Sequence, residues 1–377
     1  LFLVRDANTT GYTLGKKVTT VNLEDNKAAT KTLTFDAALT AATLGVNNVT
    51  GANNIDVDSA GTALKTLTVD ASGKASNVTL TQTTGTIETL NITGKANLTL
   101  DAASTLTAVK TIDGSKAEGD LKFSNTTAMT SIKTGSGNDT VTVAANVTSG
   151  ETINLGAGND KLVAGGGTIA AGSIIDGGAG IDSLDAALVT AGNAGVFANF
   201  ETLSLTATTA DLDLALVNKS TFTTIAIDGA STSTVRNVST SQSLAVNAAA
   251  TTTTLLFKDV AGTADAYTIN FNADNTVATN AGIVSVEGIE TVTVNSLGKT
   301  SAATDTNKIT LQDTDAKSLV ITGDKELTLA FGAQFGATSA NATDGLGVST
   351  IDASASTAGI NIAATELTRS EEHTSEL

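Results

Sequence analysis

Short alternations of apolar and polar residues recur along this chain at nearly even intervals. Between Val18 and Val69 they read Val21-Asn22-Leu23, Leu33-Thr34-Phe35, Leu44-Gly45-Val46, Ile55-Asp56-Val57 and Leu67-Thr68-Val69, with first residues 12, 11, 11 and 12 apart. Alternation of period two is the pattern of a strand with one buried face, and the Gly, Asn, Asp and Ser residues between these runs are turn formers. From Leu67 the rhythm lengthens. Leu67, Leu90, Ile112, Ile132, Ile153 and Ile175 open comparable phrases at intervals of 23, 22, 20, 21 and 22. Second strands begin between these anchors at Val78, Leu98, Leu121, Val141, Leu162 and Leu184. Two strands in each repeat predict an all-β fold, a parallel β-solenoid or β-roll.

The pattern then changes. Ala186 to Asn199 has the texture of a helix, with Ala186-Ala187-Leu188-Val189 followed by Ala194-Gly195-Val196-Phe197. Strand signals resume at Phe200-Glu201-Thr202-Leu203-Ser204-Leu205 and continue to Ile351 at less even spacing, so a β-sandwich and more solenoid both remain open for this part. The expected organisation is a strand-repeat solenoid over 1–130, a β-roll over 131–186 and a further β-rich domain over 187–368. Residues 369–377 break the Thr/Ala/Gly texture, hold the single histidine, His373, and read as the in-frame translation of a sequencing-library adapter, so no function is sought there. Leu1 lies inside a strand-like Leu1-Phe2-Leu3-Val4, and the chain is expected to be a fragment.

Composition narrows the chemistry. There are 38 acidic residues against 21 basic ones, a formal charge of -17 and a pI near 4.3, which disfavours nucleic acid and anionic membranes as partners and suits a divalent cation. The chain has no Cys, Pro or Trp, and its 41% apolar content comes mainly from small aliphatic residues. Disulfides therefore do not hold the fold; a repeat architecture or bound metal is expected to replace them. No apolar run approaches the roughly 18 residues that a membrane-spanning helix requires.

One phrase is written three times: Gly135-Ser136-Gly137-Asn138-Asp139-Thr140-Val141, Gly156-Ala157-Gly158-Asn159-Asp160-Lys161-Leu162 and Gly178-Ala179-Gly180-Ile181-Asp182-Ser183-Leu184. Each has the form G-x-G-x-D-x-U, where U is aliphatic. Glycines allow a tight turn to aim its carbonyl oxygens at one point. The aspartate supplies charge, and calcium takes six to eight hard oxygen ligands at about 2.3 to 2.6 Å. Asp139, Asp160 and Asp182 are 21 and 22 residues apart, so each falls at nearly the same place in a repeating coil. Stacked at about 4.8 Å, such aspartates repel one another. An ion between successive loops removes the repulsion, which predicts one site between the first two copies and another between the last two. The competing expectation is that these are ordinary Gly-Asn-Asp turns.

These phrases resemble most of the nine-residue repeat G-G-x-G-x-D-x-U-x of RTX-type calcium-binding β-rolls. Together with Phe200-Glu201-Thr202-Leu203-Ser204-Leu205, Gly288-Ile289-Glu290-Thr291-Val292-Thr293-Val294 and the acidic, cysteine-free texture, the chain resembles the calcium-binding surface-layer (S-layer) proteins of Gram-negative bacteria exported by type I secretion. The resemblance implies secretion, calcium-driven folding outside the cell, an extracellular cell-surface location and lateral self-assembly into a lattice. It also implies attachment to lipopolysaccharide through a segment outside this sequence. It gives Ca2+ as the cofactor, with carboxylate ligands from Asp139, Asp160 and Asp182. Carbonyl ligands come from around Gly135, Gly137, Gly156, Gly158, Gly178 and Gly180. The chain departs from the pattern in its 21 to 22 residue spacing, and in having Thr134 and Leu155 where the repeat's first glycine stands; only the third copy has it, as Gly177.

A structural role is expected rather than an enzymatic one. Acid-base and nucleophilic catalysis draw on His, Cys or positioned carboxylates, and the sole histidine is His373. The pairs Asp56/Asp58 and Asp211/Asp213 read as exposed, alternating strand residues. The rival to a surface layer is the calcium-binding repeat region of a type I secreted RTX adhesin or toxin. An adhesin would carry tandem Ig-like modules and a toxin denser nine-residue repeats; neither is evident.

Overall fold

A computed structural model describes residues 2–362, apart from 6–10, 27–29, 51–53, 84, 102–103, 105, 207–210, 230–231, 300–305, 333–334 and 337–347. The adapter-like segment 369–377 lies outside the described residues. The chain is all-β with parallel pairing, a β-solenoid as the repeat predicts, and its contacts divide it into two units. One comprises residues 1–201 with 219–221; the other comprises 202–218 and 222–377.

In the first unit, alternate strands join two parallel sheets. One runs from Phe2–Val4 through Thr66–Ala71, Thr89–Gly94, Thr111–Ala117, Ser131–Lys133, Thr152–Asn154 and Ile174–Asp176 to Phe197–Ala198. The other contains Leu121–Asn125, Thr140–Val143, Lys161–Ala164 and Ser183–Asp185. Alternation becomes burial: Thr66–Ala71 and Asn54–Ser59 each read half-buried, buried, half-buried along their length. Because neighbours pair in register, the inward residues form columns. Leu67, Leu90, Ile112, Ile132, Ile153, Ile175 and Phe197 follow one another across seven coils, all buried. Each such side chain contributes about 1.5 to 3 kcal/mol by leaving water. The outward column carries Thr66, Thr89, Thr111, Ser131 and Thr152, mostly β-branched residues suited to a pleated, half-solvated face.

The second unit is also a parallel solenoid and not a sandwich. Leu203, Ile225, Leu244, Ile269, Val294 and Ile321 stack in register as its buried column. A second sheet orders Leu212–Asp213, Thr232–Val238, Thr252–Phe257, Asn280–Ser285, Asn307–Gln312, Leu327–Phe331 and Ile360–Ile362. The partners Ile225 and Leu244 are 19 residues apart, whereas Leu319 and Ile351 are 32 apart. Variable lengths of chain between paired strands, not a change of architecture, disturb the sequence rhythm here.

The helix expected over Ala186 to Asn199 does not form. Two single 3-10 turns, Ala186–Leu188 and Ala194–Val196, lead into the strand Phe197–Ala198. Asp185 caps the first turn by accepting the Ala187 N–H at 3.0 Å. Asn193 holds the corner, its Nδ2 donating to the carbonyls of Ile169 at 2.8 Å and Leu188 at 3.0 Å. These tertiary bonds, and the need to return a strand beside Ile174–Asp176, override the helical propensity of alanine.

Candidate cation site

The three glycine-aspartate phrases occupy equivalent corners of successive coils in the first unit. Each lies between a strand of one sheet and a strand of the other: after Ser131–Lys133 and before Thr140–Val143, after Thr152–Asn154 and before Lys161–Ala164, and after Ile174–Asp176 and before Ser183–Asp185. Thr140 pairs with Lys161 and Lys161 with Ser183, so the preceding Asp139, Asp160 and Asp182 stand in one column. All nine predicted site residues are thereby brought to one stack of loops.

Backbone geometry accounts for the glycines. Gly158 and Gly180 have φ of 134° and 143°, values that side-chain-bearing residues rarely adopt. A Cβ on Gly180 would overlap the Gly158 carbonyl, and one on Gly158 would overlap the Gly137 carbonyl. Gly135 and Gly137 lack this left-handed conformation, and space alone requires them: a Cβ on either would strike the backbone of Ala117 or Gly119. The loops are tight because the coils stack glycine on glycine.

The aspartates are inside this stack. Asp139, Asp160 and Asp182 are each 0% exposed. Their Oδ1 atoms form a ladder: Asp139 accepts the Leu121 N–H at 2.7 Å, Asp160 accepts the Asp139 N–H at 2.6 Å, and Asp182 accepts the Asp160 N–H at 2.8 Å. Glu201 ends it, Oε2 accepting the Asp182 N–H at 2.9 Å. An outer ladder runs beside it in the opposite direction. Asn97, Asp120, Asn138 and Asn159 accept from the N–H groups of Asp120, Asn138, Asn159 and Ile181, one coil further on in each case, at 2.8 to 3.0 Å. The corner N–H groups that cannot join the sheet are thus satisfied by side chains.

The second carboxylate oxygens separate the copies. In the second and third, Asn154 and Asp176 cap the Gly156 and Gly178 N–H groups at 3.1 Å. Lys133 occupies the equivalent position in the first copy and has no acceptor, so Asp139 Oδ2 takes the Gly135 N–H at 3.1 Å. Asp139 is fully engaged. Asp160 Oδ2 and Asp182 Oδ2 are buried with no hydrogen-bond partner. Burial is the main cause holding all three carboxyls above the usual carboxylate range; stacking on Asp139, Asp182 and Asp120 adds to it for Asp160, which is pushed up to about 7. Asp182 is pushed up to about 6, by burial and then by Glu201 and Asp176.

A buried carboxylate oxygen without a donor is costly, and either a proton or a cation removes the cost. The side chains here offer oxygen only, a donor set for hard cations rather than for zinc or copper. The Gly135 and Gly156 carbonyls accept from the Ala157 and Ala179 N–H groups at 2.8 and 2.9 Å, using one lone pair each. Sequence reasoning missed Glu201, whose role as the last rung depends on the return of the chain beside Asp182. It also did not single out Asp120, which is a rung of the outer ladder. Of the acidic pairs expected to be exposed, only Asp211 is, and it pairs with Arg236; Asp56, Asp58 and Asp213 are half-buried. No protein-family model matches the chain, and no curated protein matches it. Among the described residues, no helix is long and apolar enough to cross a membrane.

Proposed function

We propose that this chain is a structural cell-surface protein whose solenoid orders around calcium and assembles laterally with its own copies into a surface layer. The observation that carries the calcium reading is the pair of buried, stacked carboxylates, Asp160 and Asp182, each with an unpartnered oxygen in a glycine loop. Calcium between the second and third copies would bond both oxygens and cancel their repulsion. The Asp139 loop, with both oxygens engaged, is the weaker site. A dissociation constant of about 0.1 to 1 mM, typical of extracellular sites, would leave the coils that carry the glycine loops less ordered where calcium is scarce and ordered where it is abundant. The lattice reading rests on the resemblance and on a repeat fold that offers long, regular lateral faces. Extracellular location, and lipopolysaccharide as the attachment partner, belong to the same proposal.

The test is circular dichroism and light scattering of the chain through a calcium titration, beside the Asp139/Asp160/Asp182→Asn triple variant. β-signal and assembly rising together in the wild type, with neither rising in the variant, is the expected result. A wild-type chain that is fully folded and monomeric in chelator, and unchanged by calcium, overturns the proposal.

A further inference from the structure

A second group of carboxylates lies in the other unit, in a place that no glycine-aspartate phrase marks. The strands Asn280–Ser285 and Asn307–Gln312 pair in parallel with Ser285 opposite Gln312, and the Val286 N–H continues the ladder to the Gln312 carbonyl at 3.0 Å. The corners that follow them therefore stack, setting Glu287 beside Asp313, Thr314 and Asp315. One carboxylate oxygen from each of Glu287, Asp313 and Asp315 lies within 4.8 Å of the others. Oxygens bound to a common calcium ion at about 2.4 Å can be at most about 4.8 Å apart, a condition that all three pairs meet.

An acidic cluster alone would mean little, but this one contains an unsatisfied oxygen. Asp313 is 0% exposed; its Oδ1 accepts the Asp315 N–H at 2.9 Å, and its Oδ2 is buried with no hydrogen-bond partner. Glu287 Oε2 accepts the Thr314 N–H at 2.8 Å. The Thr314 hydroxyl lies 2.8 Å from Glu287 Oε2 and 3.2 Å from Asp315 Oδ2, and its one hydrogen serves only one of them. Donors in the cluster are thus fewer than acceptors. Gly288, with φ of 90°, turns the Glu287 corner tightly, and Asp315 remains at the surface, which leaves the group open to solvent on one side.

We propose that Glu287, Asp313 and Asp315 form a divalent-cation site of the calcium class, separate from the three glycine loops and independent of their reading. The unpartnered Asp313 oxygen is the inner ligand, and Glu287 and Asp315 close the site from two neighbouring corners. An ion here ties one coil to the next. Burial, and then Glu287 and Asp315, push the Asp313 carboxyl up to about 7 against the opposing pull of the Asp315 and Gly288 N–H groups, a cost that such an ion would relieve.

The test is calcium binding to the full chain by equilibrium dialysis with radioactive calcium, comparing wild type with Asp315→Asn and with Glu287→Gln/Asp313→Asn. Asp315 is exposed, so its variant folds even if Glu287 and the buried Asp313 cannot be replaced. One ion per chain fewer in the double variant, and an affinity for that ion lower by about tenfold or more in Asp315→Asn, is expected. Unchanged stoichiometry and affinity in Asp315→Asn overturns the site. The Asp139/Asp160/Asp182→Asn background separates the two readings: calcium retained there and lost on adding Asp315→Asn belongs to this cluster, and a background that binds none overturns it.

Discussion

Replacing Asp160 by Asn should stabilise the calcium-free protein while weakening its response to calcium. The carboxylate is displaced from 3.8 to about 7. At about 1.4 kcal/mol per pK unit, keeping it ionised in the metal-free fold costs at most about 4 kcal/mol. That figure already contains the bond from the Asp139 N–H; the amide nitrogen that would replace the buried, unpartnered Oδ2 brings its own burial cost of about 1 to 3 kcal/mol, which leaves a net gain of about 2 kcal/mol. An acid whose folded pKa is raised binds its proton more tightly folded than unfolded, so this penalty is full above about pH 7 and absent below about pH 4. The asparagine amide would keep an oxygen to accept the Asp139 N–H and would remove the charge. In chelator near pH 8, Asp160→Asn should therefore melt about 4 to 8 °C above wild type, at about 2 to 4 °C per kcal/mol for a unit of this size. Calcium at about ten times its dissociation constant adds about 1.4 kcal/mol to the wild type and less to the variant. Paired thermal melts with chelator and with calcium read both effects. A chelated variant less stable than wild type would mean that the carboxylate is already satisfied, and equal calcium shifts would remove Asp160 as a ligand.

Other outcomes follow from the same geometry. In chelator, wild-type stability should rise as pH falls from about 8 to about 5, because Asp160 and Asp182 take up protons in the fold before they do so unfolded; saturating calcium should flatten that slope, as melting curves across pH will show. Gly180→Ala should cost at least about 2 kcal/mol through its positive φ and the overlap with the Gly158 carbonyl, read as a lower denaturation midpoint. Ile153→Ala, in the middle of the buried column, should cost about 2 to 5 kcal/mol in the same measurement and leave calcium affinity unchanged.

The parts of this molecule that were legible in its sequence are those where coil length is nearly constant. Between Leu67 and Leu184 each coil spends its residues on two strands and two short corners, so inward positions recur every 20 to 23 residues and the register is visible in the spelling. Beyond Leu203 the same architecture continues, but the spacing of paired residues varies from 19 to 32, and period alone cannot tell it from a sandwich. Ala186 to Asn199 misled because alanine content reports helix propensity, whereas the Asp185 cap and the Asn193 bonds to distant carbonyls decide the backbone. The glycine-aspartate column could be placed because its three copies repeat the coil length. Its internal differences could not, since they turn on Lys133 standing where Asn154 and Asp176 cap a glycine N–H. The Glu287, Asp313 and Asp315 group left no trace in spacing, because its members meet only through the pairing of Ser285 with Gln312.

The central claim, that the glycine-aspartate column is a calcium site, is tested most directly by anomalous diffraction from crystals grown in calcium. The account predicts a peak between the second and third loops, at about 2.4 Å from both Asp160 Oδ2 and Asp182 Oδ2. Ordered loops with no peak there at saturating calcium, and those two oxygens protonated or bonded to water, would contradict it.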